Sequence, residues 1–133
     1  MEQKLTFITL GVKDLQNSID FYENKLGWKR SELSNKDIIF YQLNGIHISL
    51  YSRDLLAEDV TVNSIGNGFK GFTLSCNARS EKEVDEIINT LRKKGVRIIK
   101  HPQKVFWGGY SSYFSDPDDN LWEIAFNPFL KTD

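Results

Sequence analysis

The sequence predicts an α+β fold of two β-α-β-β-β modules, and three observations carry that prediction. The chain doubles: Thr9-Leu10, ahead of a helix ending Lys25-Leu26-Gly27, returns as Thr73-Leu74 ahead of a helix ending Lys93-Lys94-Gly95. Each half sets one amphipathic helical stretch among short strand-like runs, and turn residues at Asn44-Gly45 and Asp116-Pro117-Asp118-Asp119-Asn120 punctuate those runs. Two copies of one module can close a shared pocket, so the candidate site is sought at equivalent positions of the two halves.

Leu5 to Val12 is rich in β-branched and apolar residues and reads as the first strand. Asp14 offers an N-cap, and Leu15, Ile19, Tyr22 and Leu26 recur at helical spacing up to Gly27, a C′ residue following Lys25 in the last turn. Trp28–Leu33, Asp37–Leu43 and Ile46–Tyr51 give three short strands, the last two joined by a tight hairpin at Asn44-Gly45. Module 1 therefore spans about residues 5–51. Residues 52–70 are polar and contain Gly and Asn without sustained periodicity, which predicts a linker. Module 2 spans about 71–128 and opens on a strand over Gly71–Asn77. Ser80 with Glu83 forms a capping-box pattern, and Val84, Ile87, Ile88 and Leu91 make an apolar stripe up to Gly95. Strands follow at Val96–Ile99, Val105–Phe114 and Leu121–Phe126, and the whole chain, 1–133, is read as a single domain of two modules.

Composition excludes several function classes. The 133 residues are 40% hydrophobic and 13% aromatic, enough for a packed core. With 17 basic and 18 acidic residues dispersed along the chain, the net charge of -1 supplies no footprint for nucleic acid and no polybasic membrane anchor. One cysteine, Cys76, excludes an internal disulfide and a multi-cysteine zinc site, and is expected to be a small buried hydrophobe. No signal-peptide pattern opens the sequence and no apolar run approaches a membrane span, so a soluble cytoplasmic protein is expected.

Alternation puts every second strand residue on one face. If the first and last strands of each module face one another, Phe7 with Gly71 and Ser49 with Glu123 are the equivalent pairs whose side chains can converge on one centre. Trp107-Gly108-Gly109-Tyr110 stands out within a strand-like run, because paired glycines there mark a bulge or a close approach by a ligand or another backbone.

The segments Thr9-Leu10-Gly11-Val12-Lys13-Asp14-Leu15, Phe21-Tyr22 with Leu26-Gly27, Trp107-Gly108-Gly109-Tyr110 through Tyr113-Phe114, Asp116-Pro117-Asp118 and Leu121-Trp122-Glu123 together resemble the vicinal oxygen chelate superfamily. That superfamily contains glyoxalase I, bleomycin-resistance proteins and extradiol dioxygenases. The resemblance covers roughly Leu5 to Pro128, and its most specific part is the Asp-Pro-Asp turn followed by an aromatic-plus-Glu strand. It implies paired βαβββ modules curling into a barrel-like mixed sheet, commonly in homodimers. It also implies, in metal-dependent members, a divalent ion held by His or Glu on the first and last strands of both modules.

Carried across position by position, those four metal positions are Phe7, Ser49, Gly71 and Glu123. Phe7 and Gly71 offer no ligand, Ser49 a weak neutral one, and only Glu123 matches. No cofactor is therefore expected; if a metal is present, His47, two residues before Ser49 on the same strand face, would join Glu123 as its ligand. His47 is otherwise a hydrogen-bonding pocket residue or a half-exposed strand histidine with no role, and His101 is expected in a solvent-facing link. The remaining pocket walls are aromatic, with Phe7, Phe72, Trp107, Tyr110, Tyr113 and Trp122 as candidates. Arg53 is either a partner for Glu123 or an anionic ligand, or a solvated charge.

The expected function is metal-independent binding of a small, partly aromatic molecule by Phe7, His47, Ser49, Trp107, Tyr110 and Trp122, in the manner of bleomycin-resistance proteins. The alternative is a metal-independent lyase or isomerase with Glu123 as general acid or base. Glyoxalase I activity is disfavoured, because its metal polarises substrate oxygens and Phe7 and Gly71 cannot hold one. A third possibility is an accessory domain with an unknown ligand.

Overall fold

Strand β1, Phe7–Val12, alternates exposed or half-buried residues with the buried Leu10 and Val12, and so has one face for a core. Asp14 then caps helix α1, Leu15–Asp20, its carboxylate accepting from the Asn17 N–H at 3.0 Å. Over Phe21–Lys25 the helix widens to a π-turn, the Leu26 N–H donating to the Phe21 carbonyl at 3.0 Å, and the chain leaves through Gly27 at φ 78°. This computed structural model describes residues 1–130, in two compact units divided after Gly66, inside the expected linker.

The first unit holds a three-stranded sheet ordered β1-β3-β2, with β2 at Ile38–Gln42 and β3 at His47–Ser52. β3 runs parallel to β1 and antiparallel to β2, and the Asn44-Gly45 turn joins β2 to β3 as expected, with Gly45 at φ 77°. Ile39, Tyr41, Ile48 and Leu50 are buried on one face with Leu10, Val12 and the helical Phe21 and Tyr22. On that side Tyr41 packs against Trp28 and Tyr22 at 5.6 and 6.0 Å between ring centroids.

Two expectations fail in this unit. Trp28–Leu33 forms no strand. Its Ser31 N–H reaches the Phe40 carbonyl at 2.7 Å, but Ser34 Oγ takes the Phe40 N–H at 2.9 Å and the Asn35 carboxamide accepts from the Asp37 and Ile38 N–H groups. Side chains thus capture the backbone donors that a further ladder would need. The linker is also partly helical: Arg53–Val60 forms α2, with Ser52 Oγ accepting from the Leu55 N–H at 3.3 Å and Thr61 closing it at φ 68°. Helix α2 crosses β1 at Gly11, where an added Cβ would lie 3.1 Å from the Arg53 Cα.

The second unit keeps the expected order: β4 (Leu74–Asn77), α3 (Glu81–Lys93), β5 (Arg97–Lys104), β6 (Tyr110–Ser115) and β7 (Leu121–Phe126). The sheet runs β4-β7-β6-β5, with β4 parallel to β7 and the other neighbours antiparallel. Ser80 caps α3 by accepting from the Glu83 N–H at 3.0 Å, and Val84, Ile88 and Leu91 are buried with Leu74, Phe114, Trp122 and Ile124.

Four features of this unit differ from the sequence expectation. β4 begins at Leu74, so Gly71, at φ 84°, and Phe72 precede the strand. His101 lies within β5, exposed, where a link was expected. Val105–Gly109 is the hairpin loop between β5 and β6, closed by Val105 N–H to Gly109 carbonyl and Gly108 N–H to Val105 carbonyl bonds of 3.0 Å each. The paired glycines thus serve a turn: Gly108 sits at φ 93° and the Trp107 ring lies where a side chain on Gly109 would be. Cys76 is exposed, because β4 is the edge strand of its sheet.

Candidate functional site

Glu123 sits mid-strand on β7, half-buried, on the face opposite α3. Pairing dictates its neighbours: Ser75 on β4 and Tyr113 on β6 lie directly across from it, and Ser111 shares their face two residues along. All three hydroxyls donate to the carboxylate. Ser75 Oγ reaches Oε1 at 2.8 Å, while Ser111 Oγ and Tyr113 Oη reach Oε2 at 2.5 and 3.2 Å. Burial raises the Tyr113 phenol above its ordinary value, the Glu123 charge and hydrogen bond add to the rise, and Ser111 works the other way. Among the described residues no Lys, Arg or His forms an ion pair with Glu123.

Of the aromatic candidates, Tyr113 reaches this carboxylate through its phenol, beside the hydroxyls of Ser75 and Ser111. Trp122 is 3% exposed and stacks on Phe114 at 6.2 Å, on the α3 side of the sheet. Alternation makes this unavoidable: adjacent residues on a strand face opposite ways. Tyr110 also turns toward α3, its hydroxyl donating to Asp85 Oδ1 at 2.8 Å, which raises its pKa. Trp107 stands in the β5–β6 hairpin, packed over Gly109.

The first unit places Phe7, His47 and Ser49 on one face of its sheet. Phe7 pairs with His47 across β1 and β3, their ring centroids 5.1 Å apart, and Phe40 of β2 meets Phe7 edge-on at 5.7 Å. Phe7 is 44% exposed, whereas Ser49 is buried, its Oγ 2.6 Å from Thr9 Oγ1. Phe7 is therefore open to solvent, while the two hydroxyls bond to one another. With Ser49 and Glu123 taken as equivalents, the register makes Ser75, bonded to Glu123, the counterpart of Thr9, bonded to Ser49. The sequence alignment had put Thr73 there, two residues away.

Tested against the family's divalent ion, neither unit supplies a fitting donor set. The first offers His47 among aromatic rings and a Ser49 hydroxyl committed to Thr9; the second offers one carboxylate with three hydroxyl donors. By that register the counterpart of Phe7 is Thr73, a neutral hydroxyl, where the sequence offset gave Gly71, and the described residues contain no cluster of three His, Cys, Asp or Glu able to hold a metal ion. Arg53 belongs to another feature, a cavity of about 310 Å³ that it lines with Lys13, Ser52 and Ser64, its Nε donating to the Ser64 carbonyl at 2.8 Å. No described helix is long and apolar enough to cross a membrane.

Comparison with known proteins agrees with this architecture. The chain is 32% identical over 130 residues to the uncharacterized protein YraH of Bacillus subtilis, covering 91% of this chain and 96% of that one. It is 29% identical to the metallothiol transferase FosB of Lysinibacillus sphaericus, over 92% of this chain and 81% of the relative. A glyoxalase-related enzyme from Fulvimarina pelagi superposes with a TM-score of 0.89 at 35% identity, covering 99% of this chain and 94% of that one. Residues 4–124 match the model of the Glyoxalase/Bleomycin resistance protein/Dioxygenase superfamily, and the chain belongs to that superfamily.

Proposed function

We propose that the protein binds a small, partly aromatic molecule without a metal and that Glu123 is the polar anchor of that binding. One observation carries the reading: three hydroxyls from β4 and β6 orient a half-buried carboxylate that pairs with no cation among the described residues. Such a group is held in place before a ligand arrives, so little ordering is charged against binding. In the same unit as Glu123, Trp107 at 37% exposure supplies stacking surface of the kind aromatic ligands use. Similarity to a metallothiol transferase invites a metal-dependent alternative, which the donor sets described above do not favour.

A catalytic variant of the same reading has one observation in its favour. Glu123 Oε1 accepts a single hydrogen bond and keeps a lone pair free, while the Tyr113 phenol beside it holds its proton more tightly than usual. A base and an acid side by side suit a lyase or isomerase step of proton removal and return. We further propose that the protein works as a cytoplasmic homodimer, as is common in the superfamily.

The test is a ligand-observed NMR screen with neutral, cationic and anionic aromatic fragments. Glu123→Gln should weaken the hits at least tenfold, about 1.4 kcal/mol, without altering the circular dichroism spectrum. Hits unaffected by both Glu123→Gln and Trp107→Ala would refute the placement. Turnover lost with binding retained in Glu123→Gln would identify the catalytic variant.

A further inference from the structure

The hydrogen-bond direction at Glu123 defines what kind of group the anchor recognises. A carboxylate can only accept, and each hydroxyl that points its single proton at the carboxylate has only lone pairs left to offer. Ser75, Ser111 and Tyr113 all spend their protons this way. Tyr113 holds its proton because burial and the neighbouring charge both oppose a phenolate. The cluster therefore presents a visitor with acceptors and one negative charge that no described residue pairs with.

A carboxylate has about four acceptor positions, and three are used here, which leaves one free on the oxygen bonded by Ser75. Ser75 is exposed, so that side of the carboxylate faces solvent, whereas Ser111 is 3% exposed and closes the other side. An incoming anion would meet the Glu123 charge with no donor to receive it. An ammonium or amidinium group would meet one free carboxylate lone pair and the oxygen of Ser75.

Resting on the reading of Glu123 as the binding anchor, we propose that the recognised ligands carry a cationic nitrogen donor, an alkylammonium or amidinium, and that anionic aromatic ligands are rejected. The cluster selects by charge, and aromatic surface adds affinity without sign.

The experiment uses three single-ring probes of similar size and different charge, benzylammonium, benzyl alcohol and benzoate, titrated into ¹⁵N-labelled full-length protein. Amide shifts of Ser75, Ser111, Tyr113 and Glu123 are followed. Benzylammonium should move these amides saturably with a millimolar Kd, benzyl alcohol should bind at least tenfold more weakly, and benzoate should leave them unmoved. Glu123→Gln should raise the benzylammonium Kd about tenfold or more, and its own amide spectrum reports whether it is folded. The ranking of the three probes is read on the unaltered protein, so it decides the matter even where that variant unfolds. Benzoate or benzyl alcohol binding at these amides as tightly as benzylammonium would overturn the charge selection while leaving the anchor intact. If no probe moves them, the anchor and the selection both fall.

Discussion

Single residues in this chain are held by networks whose loss can be measured. Asp116 is 5% exposed in the β6–β7 turn, where Oδ1 accepts from the Asp118 and Asn120 N–H groups at 2.9 and 2.8 Å and Oδ2 from Asn120 Nδ2 at 2.8 Å. Removing a buried charged acceptor orphans these donors, so Asp116→Ala should cost about 2–4 kcal/mol in urea unfolding. Tyr41 is the second case. Burial foremost, and then the hydrogen bond to Glu23 at 2.9 Å, raises its phenol far above the ordinary value of 10.0. An acid whose folded-state pKa is raised binds its proton more tightly folded than unfolded. The stability from that proton is complete below pH 10.0 and drains away as pH climbs toward the folded value. Tyr41→Phe should therefore flatten the alkaline loss of stability and cost about 1 kcal/mol at neutral pH, read from urea midpoints across pH. A parallel pH dependence in both proteins would show that Tyr41 does not carry it.

At the scale of elements, α2 and α3 are held by the same device. Ser52→Ala and Ser80→Ala each remove a side-chain acceptor at a helix start, and each should lower stability by about 1 kcal/mol. In the core, Ile88→Ala on α3 should cost about 2–5 kcal/mol, because the side chain is 1% exposed and its loss leaves a cavity. Strong local signals made most elements legible: the Asp14 and Ser80 caps, the Val84-Ile88-Leu91 stripe and the Asn44-Gly45 turn all appear where the sequence puts them. The misses share a cause. Ser34 and Asn35 pull backbone donors out of the expected second strand, and Trp107 folds over Gly109 to make a turn of a strand-like run. Helix α2 escaped because its residues are half-buried or exposed and leave no apolar stripe, although Ser52 followed by Asp54 was a readable start.

Across the whole molecule, the duplication survives as a pairing rule: in each unit the first strand runs parallel to the last, linked by a hydroxyl bond, Thr9 to Ser49 in one and Ser75 to Glu123 in the other. The duplication and the family resemblance singled out Glu123, but its three donors were invisible without register, since Ser75 lies 48 positions away in sequence. Register also explains why Trp122, adjacent to Glu123, belongs to the opposite face. A sedimentation experiment at micromolar concentration should give twice the 15.4 kDa monomer mass if the homodimer forms. In the proposed reading, hydroxyl donors and no divalent ion hold Glu123. The most direct test of that reading is elemental analysis of protein dialysed against nickel, zinc, iron and manganese and then desalted. The account predicts no stoichiometric metal; one tightly held equivalent per chain, lost in Glu123→Gln, would contradict it.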